Sequence, residues 1–217
     1  MNLYYKLEKR FGRYAIPNLN KYMAIIYGVG LFIVSINATF YWRTFSLDIP
    51  ELLSGQIYRI FTFMVYPPFI SFSLIFSVLG IYIYYNFTTA LLYIWRDFKF
   101  NLYMLTGIIF YVVVGIITYF IYGAEYRIIL DPTYLTFSIF IAFAFNFPEE
   151  RLLLMFLFPI KAKYVAVLEI LIYLLIFSGA GIGVRASILA SMLSAGLFMY
   201  FVDKYSFKYF FNSLFKL

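Results

Sequence analysis

The residues able to do chemistry are few. Histidine and cysteine are both absent from the 217 residues. That removes the serine–histidine nucleophile, the histidine-ligated zinc and every thiolate or disulfide at once. Inside the apolar stretches stand one carboxylate, Glu169, the polar Asn86, Thr88 and Thr89, and a run of small hydroxyl-bearing residues. A carboxylate in hydrocarbon is costly, so Glu169 is expected to face the bundle or a water-filled cavity. It is either a polar or proton-linked site, or a buried glutamate hydrogen-bonded to a neighbouring helix. Lys163, six residues earlier, lies too far round a helix to be its partner. Aspartate and glutamate total only 10, and no two of them lie close together within the apolar runs. Metal or paired-carboxylate chemistry therefore has poor footing, and no cofactor is expected.

A second feature is RASILASMLSAG, residues 185–196. Ala186, Ala190 and Ser194 recur at four-residue intervals, as do Ser187, Ser191 and Ala195. On a helix they form a narrow, smooth seam that another backbone can approach closely.

The elements that must position these residues are membrane spans. The chain is 65% hydrophobic and 12% charged, and a soluble domain could not cover so much apolar side chain with so few charges. Runs able to cross ~30 Å of hydrocarbon fall at 22–42, 70–95, 102–123, 133–147, 162–180 and 185–202. All are read as helices, because lipid offers no partner to an unpaired backbone group. The fourth is short and ends at Pro148; its alternative reading is a partly buried helix that does not span. Residues 1–21 form a basic, amphipathic N-terminal tail without a cleavable signal, so the first span is expected to direct insertion. Residues 22–203 read as one membrane domain, and 204–217 as a basic-aromatic C-terminal tail.

Loop charges orient the spans. Lys6, Lys9, Arg10, Arg13 and Lys21 lie in the N-terminal tail. Arg96 and Lys99 lie between spans 2 and 3, Arg151, Lys161 and Lys163 between 4 and 5, and Lys204, Lys208 and Lys216 at the C-terminus. The opposite side has Arg43, Arg59, Arg127 and Arg185. This asymmetry puts both termini in the cytoplasm. The net charge of +7 is then an orientation signal with attraction to anionic headgroups, and nucleic acid is not an expected partner. Abundant Phe, Tyr, Ile and Lys without His or Cys suggests an AT-rich bacterium and its plasma membrane, the endoplasmic reticulum being the eukaryotic alternative.

Three segments are not simple spans. Residues 43–69, RTFSLDIPELLSGQIYRIFTFMVYPPF, are too polar to span and read as an interfacial loop, an ordinary connector or a functional lid. Arg59 there is expected to reach headgroups or an acid. In YIWRDFKFN (93–101), Trp95 reads as an interface anchor before a tight turn. Residues 147–166 read as an interfacial hairpin on the cytoplasmic face: Glu149 and Glu150 open a short amphipathic stretch that Pro159 breaks, and Lys161 and Lys163 read as snorkelling lysines, with a phosphate or headgroup role as the alternative.

In this order the pieces resemble the rhomboid family. YRIFTF (58–63) is similar to the tryptophan–arginine motif of the family's first loop, with Tyr58 in the aromatic position and Arg59 and Thr62 retained. YIWRDFKFNLYMLTG resembles its turn into span 3, though Leu92 stands near the usual glutamate. Ala186-Ser187, followed by Ala190 and Ser194, matches the spacing of an alanine–histidine pair followed by glycines in span 6. The resemblance implies an all-α, six-transmembrane-helix rhomboid-like bundle with an interfacial L1 loop between helices 1 and 2, and span 4, near Thr133 to Ala144, as the seam's neighbour. The chemistry does not carry over. The start of span 4 reads DPTYLTFS, with Thr133 or Thr136 near the nucleophile position and no Gly-x-Ser-Gly, and Ser187 occupies the histidine position. A hydroxyl without a base is a weak nucleophile. The implied function is that of an inactive, derlin-like pseudoprotease, not an enzyme, which binds transmembrane segments of client or partner membrane proteins. Arg59, Asn86, Thr88, Thr89 and Glu169 are its candidate polar contacts. An accessory subunit of a membrane transporter complex, or a membrane enzyme acting through Glu169, are the alternatives.

Overall fold

The computed structural model describes residues 3–70, 73–123, 125–154 and 158–215. Lys216, the first two residues after Ile70 in the expected second span, and the tip of the 147–166 hairpin lie outside them. In chain order the elements are α1 (Leu3–Phe11), α2 (Leu19–Thr44), β1 (Leu47–Asp48), α3 (Ile49–Leu53), α4 (Arg59–Thr62), α5 (Leu74–Tyr122), β2 (Ile129–Leu130), α6 (Thr133–Asn146), β3 (Arg151–Leu154), β4 (Phe158–Lys161), α7 (Ala162–Gly179), α8 (Ile182–Phe201) and α9 (Lys204–Leu214).

Four helices, α2, α5, α7 and α8, are long and apolar enough to cross a membrane. Their outward faces carry exposed apolar side chains such as Phe32, Ile75, Phe120 and Leu175, as helices facing hydrocarbon require.

The 49-residue α5 is not straight. Arg96 has φ 55° and ψ 176°, a conformation nearly confined to glycine that costs a non-glycine residue about 1–3 kcal/mol. The chain reverses there, as the register against α6 demonstrates. Before Arg96, Phe87 packs on Phe140 and Phe143 with ring centroids 5.2 and 4.6 Å away, and Trp95 Nε1 reaches Asn146 Oδ1 at 3.2 Å. After it, the Tyr103 hydroxyl donates to the Ser138 carbonyl at 2.9 Å and the Tyr111 hydroxyl to that of Asp131 at 3.1 Å. One segment therefore climbs with α6 and the other descends against it.

α6 is the centre of the molecule. At 14 residues it is about 21 Å long, shorter than the hydrocarbon layer. Leu135, Thr136, Ser138, Ile139 and every residue from Ile141 to Phe145 are buried, under cover from α5, α7, α8 and α9.

The 45–73 connection folds back onto the bundle. β1 pairs antiparallel with β2, Leu47 opposite Leu130, and the Tyr41 hydroxyl donates to the Phe63 carbonyl at 2.7 Å. α2 passes beneath this loop at Gly30, where any Cβ would collide with the Val65 carbonyl. Below its cap, the fully buried Asp48 receives Arg127 Nε at 2.7 Å.

Three expectations are corrected here. Trp95 is not an interface anchor: it is 2% exposed and donates to Asp203 Oδ2 at 2.8 Å, while Lys99 pairs with Asp203 at 3.0 Å. Its indole N–H found a buried acceptor, so the ring has no reason to seek the membrane surface. The hairpin expected after Pro148 is present and is built of two strands, β3 with β4, but Pro159 does not break it: it sits within β4 opposite Leu153. Lys163 does not snorkel: it is 1% exposed, and its ammonium donates to Glu149 Oε1 and to the Ser213 carbonyl, both at 2.6 Å. The second of these bonds ties α7 to α9. The C-terminal tail is thus a docked helix, its Phe210 stacked on Phe145 at 4.1 Å.

Candidate functional site

The start of α6 and the α8 seam meet at one hydroxyl. Ser187 is fully buried. Its Oγ donates to the Gly183 carbonyl at 2.8 Å and accepts the Asp131 backbone N–H at 2.8 Å. Asp131 in turn uses its Oδ1 to accept the Thr133 N–H at 2.9 Å, satisfying one of the free amides that open α6. Thr136 donates to the Thr133 carbonyl at 2.8 Å. The positions Thr133, Thr136 and Ser187 are thus brought to one corner of the molecule. There each threonine or serine hydroxyl that donates does so to a backbone carbonyl, and no imidazole exists to accept a proton. The arrangement holds α6 against α8.

The seam itself is shut. Ala186, Ser187, Ala190, Ser191, Ser194 and Ala195 are all buried. Ser191 and Ser194 turn their hydroxyls back to the Ile188 and Ser191 carbonyls at 3.0 and 2.9 Å, which leaves the helix surface smooth. α8 packs on α6 and more extensively on α5, where Phe198 meets Trp95 and Tyr103 at 5.4 and 5.1 Å. The seam thus has two neighbours where one was expected.

On its opposite side α6 borders an opening. An apolar groove of about 260 Å³ lies between the first segment of α5 and α6. Phe76, Gly80, Ile83 and Phe87 form one wall, Phe137 and Phe140 the other, with Pro68 and Phe69 at one end. Thr136 belongs to its lining, so the groove runs to the corner just described. Its residues carry no distinguishing signal in the sequence, being apolar side chains among many.

The candidate polar contacts are not assembled into one site. Asn86 is exposed and donates to the Tyr82 carbonyl at 3.0 Å. Thr88 is buried and donates to the Tyr84 carbonyl at 2.9 Å. Thr89 faces α2, where its Oγ1 accepts from Asn20 Nδ2 at 2.9 Å. Glu169 finds its partner one turn away: the Tyr173 hydroxyl donates to Oε1 at 2.9 Å. Its Oε2 is enclosed without a hydrogen bond. Arg59, expected to point to headgroups or an acid, turns inward instead. It is 3% exposed and donates to Gln56 Oε1 at 2.8 Å, the Ser46 carbonyl at 2.8 Å and the Arg43 carbonyl at 2.7 Å. A planar guanidinium can satisfy several carbonyls left free at the end of α2 at once, so Arg59 pins the connection to that helix.

The polar group that sequence reasoning missed lies at the other end. Asn146 Oδ1 accepts from Trp95 and, at 2.9 Å, from Ser206; with Asp203 and Lys99 these residues join α5, α6 and α9. Beside it, Glu149 is held well below the usual carboxylate range, at about 2, by the ammonium groups of Lys161 and Lys163. The signal for this knot was the clustering of polar residues at span ends, which read as turn chemistry.

The chain matches no family model, and no characterised protein or solved structure matches it.

Proposed function

We propose that the chain is a catalytically inactive, rhomboid-like membrane protein that receives a transmembrane segment of a client or partner membrane protein. The reading counts the two segments of α5 and the short α6 as spans, giving six, and puts both termini on the cytoplasmic side of a bacterial plasma membrane. The observation that carries it is the lateral groove reaching Thr136 beside a central α6. A short central helix, approached from the side and locked to a small-residue helix at Ser187, is the arrangement a rhomboid-like chain would keep after losing its nucleophile and base. A helix is about 10–12 Å across, so a cavity of about 260 Å³ accepts side chains from one face of a client, not the whole helix. Association would rest on close packing in the groove, since lipid offers no hydrophobic drive between helices.

Photo-crosslinking amino acids at Ile83 and Phe137 test this, with Phe120 and Leu175 as outward-facing controls. Defined membrane-protein adducts from the groove positions, absent from the controls, support the reading. Lipid adducts alone from all four positions would refute it.

A further inference from the structure

α1 is a second, separate surface. Tyr4 packs on Phe98 with ring centroids 6.0 Å apart. The chain after α1 is stapled to the turn of α5: the Ile16 N–H donates to Asn101 Oδ1 at 3.0 Å, the Ile16 carbonyl accepts from Asn101 Nδ2 at 3.0 Å, and the Asn18 N–H donates to Asp97 Oδ1 at 2.8 Å. α1 is therefore a mounted helix rather than a loose tail. Helical spacing puts Lys6 and Lys9 on the side away from Tyr4 and Leu7, with Arg10 on the flank, and all three are exposed.

Of the five acids at this end, Glu149 and Glu150 are exposed beside Tyr209 of α9, Glu149 being paired with Lys161 and Lys163; the other three are engaged within the bundle. Glu8 accepts the Tyr4 hydroxyl at 3.0 Å, Asp97 is taken by Asn18, and Asp203 by Trp95 and Lys99. Among the described residues, none of Lys6, Lys9, Arg10, Arg13, Lys204 or Lys208 has a carboxylate within ion-pair distance. α9 repeats the design: its Ser206, Phe210 and Ser213 are buried against the bundle while Lys204 and Lys208 point outward. Exposed aromatics, Tyr5, Tyr14 and Tyr205, flank both basic faces. The apolar belt of α2 begins directly beyond, at the exposed Tyr22 and Ile25, which sets α1 at headgroup depth.

We infer that α1 and α9 together form a docking surface for the anionic headgroups of the membrane in which the protein sits. Cations without a carboxylate partner and interfacial tyrosines complement a negatively charged leaflet. The surface is distinct from the groove and does not depend on the client reading.

The test uses the full chain in nanodiscs of phosphatidylcholine, with or without about 30 mol% phosphatidylglycerol, a composition giving a strongly negative surface. Phosphatidylglycerol should raise the thermal midpoint by several degrees, and high salt should erase the gain. Lys6→Gln/Lys9→Gln/Arg10→Gln should at least halve the gain. Lys204→Gln/Lys208→Gln should reduce it while leaving the N-terminal orientation charges in place. Arg43→Gln, at the opposite end, should leave it unchanged. Equal midpoints in the two lipids, or an undiminished gain in both basic variants, would overturn the inference.

Discussion

The two sides of α6 solve opposite problems with different side chains. On the α8 side the residues are small, Ala186, Ala190, Ser191 and Ser194, and all are buried. Toward the first segment of α5 they are Phe76, Phe87, Phe137 and Phe140, and a groove of about 260 Å³ remains. Small residues let backbones meet along a line. Large rings touch at a few points and leave space where the next ring cannot turn to fill it. One helix thus borders a closely packed neighbour and an open groove.

The most severe way to break this contrast is Ala190→Leu. Ala190 is fully enclosed, and forcing extra methylenes into such a site costs about 1–3 kcal/mol or more. A thermal midpoint equal to that of the unaltered protein would mean that the seam is not closed. Next comes Trp95→Phe, which deprives Asp203 and Asn146 of an indole donor inside the bundle; about 1–3 kcal/mol should be lost, read in the same melt. Ser187→Ala should cost about 1 kcal/mol by stranding the Asp131 amide, and Ser187→His should still yield no proteolysis, since α6 has no serine turn. Phe140→Ala should cost less than Ala190→Leu, because its ring borders the open groove and is partly exposed, and it should change crosslinking from the groove. A large loss of stability there would erase the distinction between the two sides.

The smallest effect concerns pH. Glu149 titrates at about 2 in the folded chain against 4.5 for an unperturbed group. Its bonds to Lys161 and Lys163 therefore contribute stability in full above about 4.5, and that contribution is lost as pH falls toward about 2. Glu149→Gln should flatten this part of the stability profile. An unchanged acid limb would show that the pair adds nothing.

Much of the fold was legible before any coordinates. Apolar runs located the four helices long enough to span, Pro148 marked the end of α6, and the four-residue spacing of small residues revealed a buried seam. The roles of individual polar residues were not legible. Trp95, Lys163 and Arg59 have the composition of membrane-surface anchors, and each was drawn inward by an acceptor remote in sequence: Asp203 for Trp95, Glu149 and the Ser213 carbonyl for Lys163, the Arg43 and Ser46 carbonyls for Arg59. The five residues grouped as one contact set were scattered: Arg59 and Glu169 stand on other elements, and Asn86, Thr88 and Thr89 are so close in sequence that they project from different sides of α5.

By itself the sequence determined that helices suited to a membrane must form, and that no histidine or thiolate chemistry can occur. Composition and periodicity decide both, and neither needs a partner from elsewhere in the chain. Only the tertiary structure decided that α5 turns back at Arg96, that α6 lies at the centre, and that one of its sides is sealed while the other stays open. Those outcomes depend on which side chains meet across long separations in the chain, and a buried hydrogen bond or a poorly matched pair of rings exists only once both partners are in place.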